Sequence, residues 1–374
     1  MRIAIIGCGF VADYYMQSLH RYPALELAAV MDRDAARVAR FAAHHRIDCV
    51  RPTLDAVLAD ASIGMVLNLT NPDSHYEVSA AALRAGKHVY SEKPLAMNFQ
   101  HARELHDLAR AQGLQLACAP CSVLGETAQT LWKTLREQVV GDVRLVYAEI
   151  DDGLVHKSPY RQWVSESGQP WPYKDEFEVG CTLEHAGYYV TWLTAFFGPA
   201  VSVTAFSSCL YPDKQTDVPL ERDSPDFSVA CIRFRSGVVA RLTCSIIAPV
   251  DQRLRLFGES GIVYIRDAWD YRAPVHVKKT FNIRRKMIVP PWSRRYPLAR
   301  FPSALPHKGH RMEFCRGPAE VAAAVASGAP SPLPSDYCLH NNELVLAIQS
   351  ALENSATYQV TTSFEPLEPR SWAQ

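Results

Sequence analysis

The sequence predicts an α/β protein: an N-terminal doubly wound parallel sheet, then an α+β domain carrying a large mixed, mostly antiparallel sheet. Three observations carry this reading. The chain has 374 residues, and single hydrophobic cores usually stop growing near ~250 residues, so two domains are expected. Up to residue 120, short apolar runs alternate with amphipathic helical stretches, the pattern of βαβ units. From 121 to 374 the texture turns to closely spaced β-rich runs, several alternating with period two, as in a sheet covered on one face.

Residues 2–6 form the first expected strand, and 14–22 its helix. Strand 25–31 and helix 34–44 follow, then a short helix at 54–58, strand 65–69 and helix 74–85. Strand 88–91, helix 99–112 and strand 115–117 complete the parallel sheet. In the second domain, 143–150, 201–207, 227–234, 238–246, 253–257 and 262–266 read as strands. Residues 183–197 are its strongest helix, stopped by Gly198-Pro199. A last helix is expected over 342–355, with the possibility of packing back on the first domain.

Composition narrows the functional classes. With 48% hydrophobic and 21% charged residues the chain is a folded globular protein. Its formal net charge of zero gives no global attraction to nucleic acid or an acidic membrane. No apolar stretch approaches the ~18 residues of a membrane span, and the first apolar run is too short for a signal sequence, so a cytoplasmic protein is expected. The ten cysteines are scattered, as buried small hydrophobes are in a reducing compartment. Cys118-Ala119-Pro120-Cys121 has redox-motif spacing but lacks the flanking residues of one, and reads as a structural turn. No metal is expected.

Gly7-Cys8-Gly9-Phe10-Val11-Ala12 follows an apolar strand and opens a helix, the context in which G-x-G-x-x-A cradles a pyrophosphate. Gly7 permits the tight turn, and Gly9 lets backbone approach a phosphate at the helix N-terminus. Asp32 stands 23 residues after Gly9, near the ~20 expected for a carboxylate on the adenosine ribose. This is the Rossmann signature. The acid favours NAD; Arg33 beside it offers stacking on adenine or a seat for the 2′-phosphate of NADP.

After the strand 65–69 and Thr70 come Asn71-Pro72-Asp73-Ser74-His75, and later Ala85-Gly86-Lys87-His88-Val89-Tyr90-Ser91-Glu92-Lys93-Pro94-Leu95-Ala96. This pair of motifs resembles the Gfo/Idh/MocA family of glucose-fructose, inositol and related sugar dehydrogenases, specifically over 3–97 and more loosely to a C-terminal helix ending at Ser355-Ala356. The resemblance implies that Lys93 reaches the reacting carbon's oxygen and helps position the nicotinamide, while Glu92 and Pro94 shape the loop. It also places Thr70, Asn71, Pro72 and His75 at the cofactor. An ammonium beside an alcohol oxygen would stabilise the alkoxide-like charge of hydride transfer.

The family's third motif is a glycine-rich turn leading into a helix with Asp and His four apart. Here Gly180-Cys181-Thr182-Leu183-Glu184-His185-Ala186-Gly187-Tyr188-Tyr189 puts His185 at the Asp position and Tyr189 at the His position. On an α-helix these two share a face. Tyr189 would pass a proton to His185, or His185 would contact substrate directly, or the helix is merely packed. Trp163, Trp171, Tyr173, Lys174, Asp175 and Glu178 nearby are candidate contacts for a polyhydroxylated substrate. From Arg272 through Arg311 there are eleven Lys or Arg and no acid, read as a solvated insertion, an oligomer contact, or an anion clamp through Arg284-Arg285-Lys286 and Arg294-Arg295. The clamp would suit an anionic substrate.

These features together predict an NAD(P)-dependent dehydrogenase or reductase acting at a hydroxyl or carbonyl carbon of a sugar, sugar derivative or cyclitol, in a homodimer or homotetramer. An NAD-assisted epimerase, lyase or glycosidase and a non-catalytic nucleotide-binding sensor are the alternatives.

Overall fold

The computed structural model describes residues 1–302, 310–352 and 356–374. Five parallel strands, β1 (Arg2–Ile6), β2 (Glu26–Met31), β3 (Met65–Asn68), β4 (His88–Ser91) and β5 (Leu116–Cys118), lie in the order β2-β1-β3-β4-β5. The pairs β1/β2, β1/β3, β3/β4 and β4/β5 all run parallel. β3 is buried along its whole length, as a strand covered on both faces must be. The crossovers are α1 (Phe10–Leu19), α2 (Ala35–His45) with α3 (Leu54–Leu58), α4 (His75–Arg84) and α5 (Phe99–Ala111). α1 begins four residues before the expected 14, directly on Gly9, so its first free amides belong to the glycine turn.

After α6 (Glu126–Arg136) the chain enters the second sheet. Its strands are β6 (Val143–Asp151), β7 (Ala200–Ser208), β8 (Phe227–Phe234), β9 (Val239–Ser245), β10 (Leu254–Gly258), β11 (Gly261–Ile265) and β12 (Val275–Lys279). A hairpin of β13 (Phe281–Ile283) and β14 (Lys286–Ile288) stands apart, and β15 (Arg294–Tyr296) and β16 (Thr357–Gln359) close the two edges. The sheet has nine strands, antiparallel except for the parallel pair β6/β9. Its inner face packs on a π-helical turn Thr182–Ala186 and on α10 (Ser335–Gln349); α7 (Tyr173–Val179) and α8 (Gly187–Phe197) pack on the π-turn, and α9 (Arg316–Ser327) precedes α10 in the chain.

α10 starts seven residues before the expected 342, and 353–355 lie outside the described residues. The polar run His340, Asn341, Asn342 obscured it. Those side chains are buried with partners: His340 Nε2 accepts from Ala200 N at 3.0 Å, Asn341 Oδ1 from Thr194 Oγ1 at 2.7 Å, and Asn342 Nδ2 donates to Ala96 O at 3.2 Å. α10 thereby packs on α5 and holds the loop after Lys93. Among the described residues, the basic side chains read as a clamp do not line the cleft. Arg284, Arg285 and Lys286 sit on the exposed β13/β14 hairpin and Arg294 and Arg295 on the edge strand, while 303–309 are outside the described residues. Among the described residues no helix is long and apolar enough to cross a membrane.

Candidate active site

A cleft of about 740 Å³ runs from the glycine turn to the π-turn, between the two sheets. Gly7 has φ +95°, and a Cβ there would meet Leu69 O at 2.5 Å, so only glycine serves. A Cβ at Gly9 would meet nothing within 4 Å: the space over the helix N-terminus is open to a pyrophosphate, and the residues fit a dinucleotide. Phe10 and Val11 line the cleft and Ala12 is buried behind them.

Asp32 is placed otherwise than the ribose reading expected. It is buried beneath the turn, where Oδ2 accepts from Cys8 N and Oδ1 from Asp34 N, both at 2.8 Å. Arg37 Nη1 lies 3.4 Å from it. Arg33 is exposed and does not line the cleft; Asp34, Arg37 and Arg40 do.

Thr70, Asn71 and Pro72 line the wall beside the turn. His75 does not. It is fully buried, bridging Pro94 O at 2.7 Å and Thr70 O at 2.9 Å, and so ties the two cofactor-side loops together. Glu92 accepts from Tyr15 Oη at 2.7 Å and Lys93 N at 3.1 Å.

Lys93 Nζ reaches into the cleft and hydrogen-bonds Glu184 Oε2. Burial opposes its charge, yet Glu184, Glu176, Tyr188 and Glu92 outweigh burial and raise it above the ordinary lysine value. Lys93 is therefore an ammonium at any physiological pH. His185 lines the same wall. Burial, reinforced by Lys93, pushes its imidazole down to about 4, so it is neutral at pH 7. Its Nε2 lies 3.9 Å from Asp152 Oδ2, and burial alone pushes Asp152 up to about 7.

Tyr189 is not in the cleft. Its hydroxyl donates to Gln252 O and its ring packs on Trp192 in the core. The π-turn is the reason: a wider turn shifts the register on which a shared i, i+4 face depends. Tyr188 lines the cleft in its place, with His185 and Trp269. Sequence reasoning missed Glu176, Glu184, Asp152, Tyr188 and Trp269. Glu176, Glu184 and Tyr188 were signalled only by their nearness to His185 and to the candidate loop, and Asp152 and Trp269, far from both in the chain, by nothing.

Trp163, Trp171, Tyr173, Lys174 and Asp175 also line the cleft, on a segment that lies across it. Trp163 and Trp171 pack at 5.0 Å, Lys174 pairs with Glu221 at 2.8 Å, and Tyr173 Oη bonds Asp217. Glu178 is buried behind them, accepting from Glu221 N at 2.7 Å. The segment is fastened to the first domain: Ser167 N and Oγ donate to buried Asp13 at 3.1 and 2.8 Å, and Asn71 Nδ2 donates to Asp175 at 2.6 Å. Cys118 and Cys121 are buried, and burial pushes both thiols up, as suits a structural turn rather than a redox pair. Among the described residues no group of three or more His, Cys, Asp or Glu is arranged to hold a metal ion.

Comparison with known proteins decides the family. Residues 1–119 match the oxidoreductase family NAD-binding Rossmann fold and 128–264 the GFO/IDH/MocA C-terminal domain, together more than half of the chain. The chain belongs to the Gfo/Idh/MocA family. Within it, the chain is 26% identical over 295 residues to the trans-1,2-dihydrobenzene-1,2-diol dehydrogenase of Mus musculus, covering 78% of this chain and 80% of that one. It is 24% identical to an uncharacterized oxidoreductase of Synechocystis, covering 70% of each. A 3-ketoreductase from Actinomadura kijaniata, solved with NADP, shares the fold at TM-score 0.71 and 22% identity over 95% of this chain and 97% of that one. The protein is thus an NAD(P)-dependent oxidoreductase. Relative to the Gfo/Idh/MocA pattern its third motif is altered in kind: His185 replaces the Asp, and Tyr189 replaces the His but is withdrawn into the core.

Proposed function

We propose that this protein interconverts a secondary hydroxyl and a carbonyl on a neutral sugar, sugar derivative or cyclitol. The observation that carries the proposal is Lys93 Nζ, a permanent ammonium in the cleft beside the phosphate-binding wall. Gly7, Gly9, Phe10, Val11, Thr70, Asn71 and Pro72 would hold the cofactor, with Arg37 and Arg40 at its ribose end. When bound, the nicotinamide supplies or accepts the hydride. Lys93 donates a hydrogen bond to the reacting oxygen and stabilises its negative charge. His185, neutral at pH 7, faces the same space and is the better-placed of the two proton carriers expected from sequence.

A neutral substrate is favoured over an anionic one because Lys93 and Lys174 are already paired with acids, Glu184 and Glu221. Arg37, beside Asp32, and Arg40, beside the neutral amide of Gln169, stand at the ribose end. Trp163 and Trp171 offer flat faces of the kind on which a ring packs. Asp32, turned beneath the glycine turn, makes no choice between the cofactors and the two arginines suit NADP, so both cofactors belong in the assay. The outer face of the nine-stranded sheet, carrying Leu145, Tyr147, Phe206 and Phe257, supports a homodimer or homotetramer. Ten free cysteines support a cytoplasmic protein.

Turnover of NAD and NADP with a panel of aldoses, amino sugars, inositols and their keto forms tests the function. Net accumulation of reduced cofactor with at least one neutral polyol is expected. Product formation with no net cofactor change would instead indicate an internal hydride return, and cofactor binding without turnover would refute catalysis.

A further inference from the structure

Three carboxyl groups crowd Lys93, and the arrangement of two of them goes beyond charge neutralisation. We propose that Glu176 and Glu184 hold one proton between them and pass it to Lys93 Nζ when Lys93 protonates the substrate oxygen, making the pair a proton store for the reaction. The inference rests on Lys93 being the group that binds that oxygen.

The geometry is a line of three groups. Glu184, on the π-turn and only 4% exposed, accepts from Lys93 Nζ through Oε2. Glu176, on α7, hydrogen-bonds Glu184 and lines the cleft wall. Two carboxyl groups in hydrogen-bond contact, Glu184 buried and Glu176 on the cleft wall, favour a single shared proton because the second negative charge is repelled by the first. Which of them carries it follows from the neighbours. Burial and then the Glu184 charge push Glu176 well above the usual carboxylate range. Burial opposes the charge of Glu184 too, but Lys93 and the hydrogen bond from Glu176 hold it below its ordinary value. The resting state is therefore Glu176 carboxylic acid, Glu184 carboxylate and Lys93 ammonium. Asp175, Glu92, Tyr188 and His185 are the other titratable groups facing the triad. Asp175 and Glu92 strengthen the retention of the proton, and neutral His185 and Tyr188 do not compete for it.

In the reducing direction, the carbonyl oxygen gains a proton as an N–H bond of Lys93 breaks, leaving the electron pair on Nζ. The O–H bond of Glu176 then breaks, and its proton reaches Nζ through Glu184, which accepts and donates in turn. Lys93 is again an ammonium, Glu184 again a carboxylate and Glu176 newly ionised, to be reprotonated from the open cleft. Oxidation runs the same steps backwards and starts from ionised Glu176. An ammonium held so far above neutrality is a poor acid alone; the adjoining pair removes that obstacle by moving one proton along without leaving a bare lysine amine. Glu176 and Glu184 are positioning residues in this scheme, since neither touches the substrate.

Infrared difference spectroscopy on the full-length protein without substrate, titrated from acid to alkaline pH, is the direct test. Wild type is expected to retain a protonated-carboxyl band above pH 8.5, where Asp152 has ionised, and Glu176→Gln to lose it with cofactor Kd unchanged. In turnover on whichever polyol and keto form the panel identifies, Glu176→Gln should lower the reduction rate about 10²-fold, within the range of a positioned proton donor. It should also flatten the alkaline limb of the pH profile, and Glu176→Asp should restore part of both. Persistence of the band and of the pH limb in Glu176→Gln would overturn the relay. Because the band needs no substrate, it remains a test if the variant turns over poorly. The two readings fail separately: unchanged turnover in Lys93→Met overturns the role of Lys93, whereas loss there with an unaltered Glu176→Gln overturns only the proton store.

Discussion

At the scale of single residues, ion pairing prevails over burial at Lys93 and burial prevails at Asp152. Burial lifts the Asp152 carboxyl to about 7. A carboxyl raised in the folded state binds its proton more tightly than in the unfolded chain, so stability falls as pH rises from its ordinary value toward 7. Asp152→Asn should therefore be more stable than wild type, by a margin that widens between pH 4 and 7 and then levels off. The shift from 3.8 to about 7 sets an upper bound of about 4 kcal/mol on it. Urea denaturation of both proteins at pH 5 and pH 8 measures the margin; a constant gap would contradict the assignment. Lys93 was legible in the sequence because the Glu-Lys-Pro context marks it, but Glu176 and Glu184 were not. Acids in a polar loop and at a helix start carry no mark of burial until the fold brings them to a lysine about 90 residues away in the chain.

At the scale of elements, the glycine turn, the parallel strands and the outer sheet were readable because each depends on local pattern: period-two alternation, an apolar run ending in glycine. The π-turn was not. One extra residue in a helical turn leaves no periodic trace, yet it decides that Tyr188 and not Tyr189 faces the cleft. The early start of α10 was hidden for a related reason, since its buried polar residues are paid for by partners distant in sequence. The segment carrying Trp163 to Asp175 forms a strap across the cofactor cleft, fastened by Ser167 on Asp13. A hydrogen bond to a charged acceptor contributes about 1.5–3 kcal/mol. Ser167→Ala should thus release reduced cofactor about tenfold faster in stopped-flow fluorescence, with little change in melting temperature. An unaltered release rate would mean that the strap does not hold the cofactor.

At the scale of the whole molecule, the two sheets are joined by late chain together with α6, the helix between them. Arg316 is buried against Glu126 at 2.8 Å and Glu313 at 2.7 Å, and Tyr22 of the first domain donates to Glu313. This buried network fixes one wall of the cleft against the other, so the distance from glycine turn to Lys93 and His185 is set by the fold and not by closure alone. The outer sheet face remains open, with Tyr147 and Phe257 rings 4.9 Å apart on it and Arg241 stacked over Tyr147. Light scattering at micromolar concentration is expected to give a dimer or tetramer mass, and Tyr147→Glu to lower it. A monomer at all concentrations would refute that use of the face.

The account stands or falls on Lys93 as the group that stabilises charge on the reacting oxygen. Single-turnover hydride transfer, followed by nicotinamide absorbance with Lys93→Met preloaded with cofactor, measures this. A rate reduced about 10²-fold or more with cofactor affinity retained is predicted, the cost of removing one preorganised donor. An unchanged rate at unchanged affinity would contradict it.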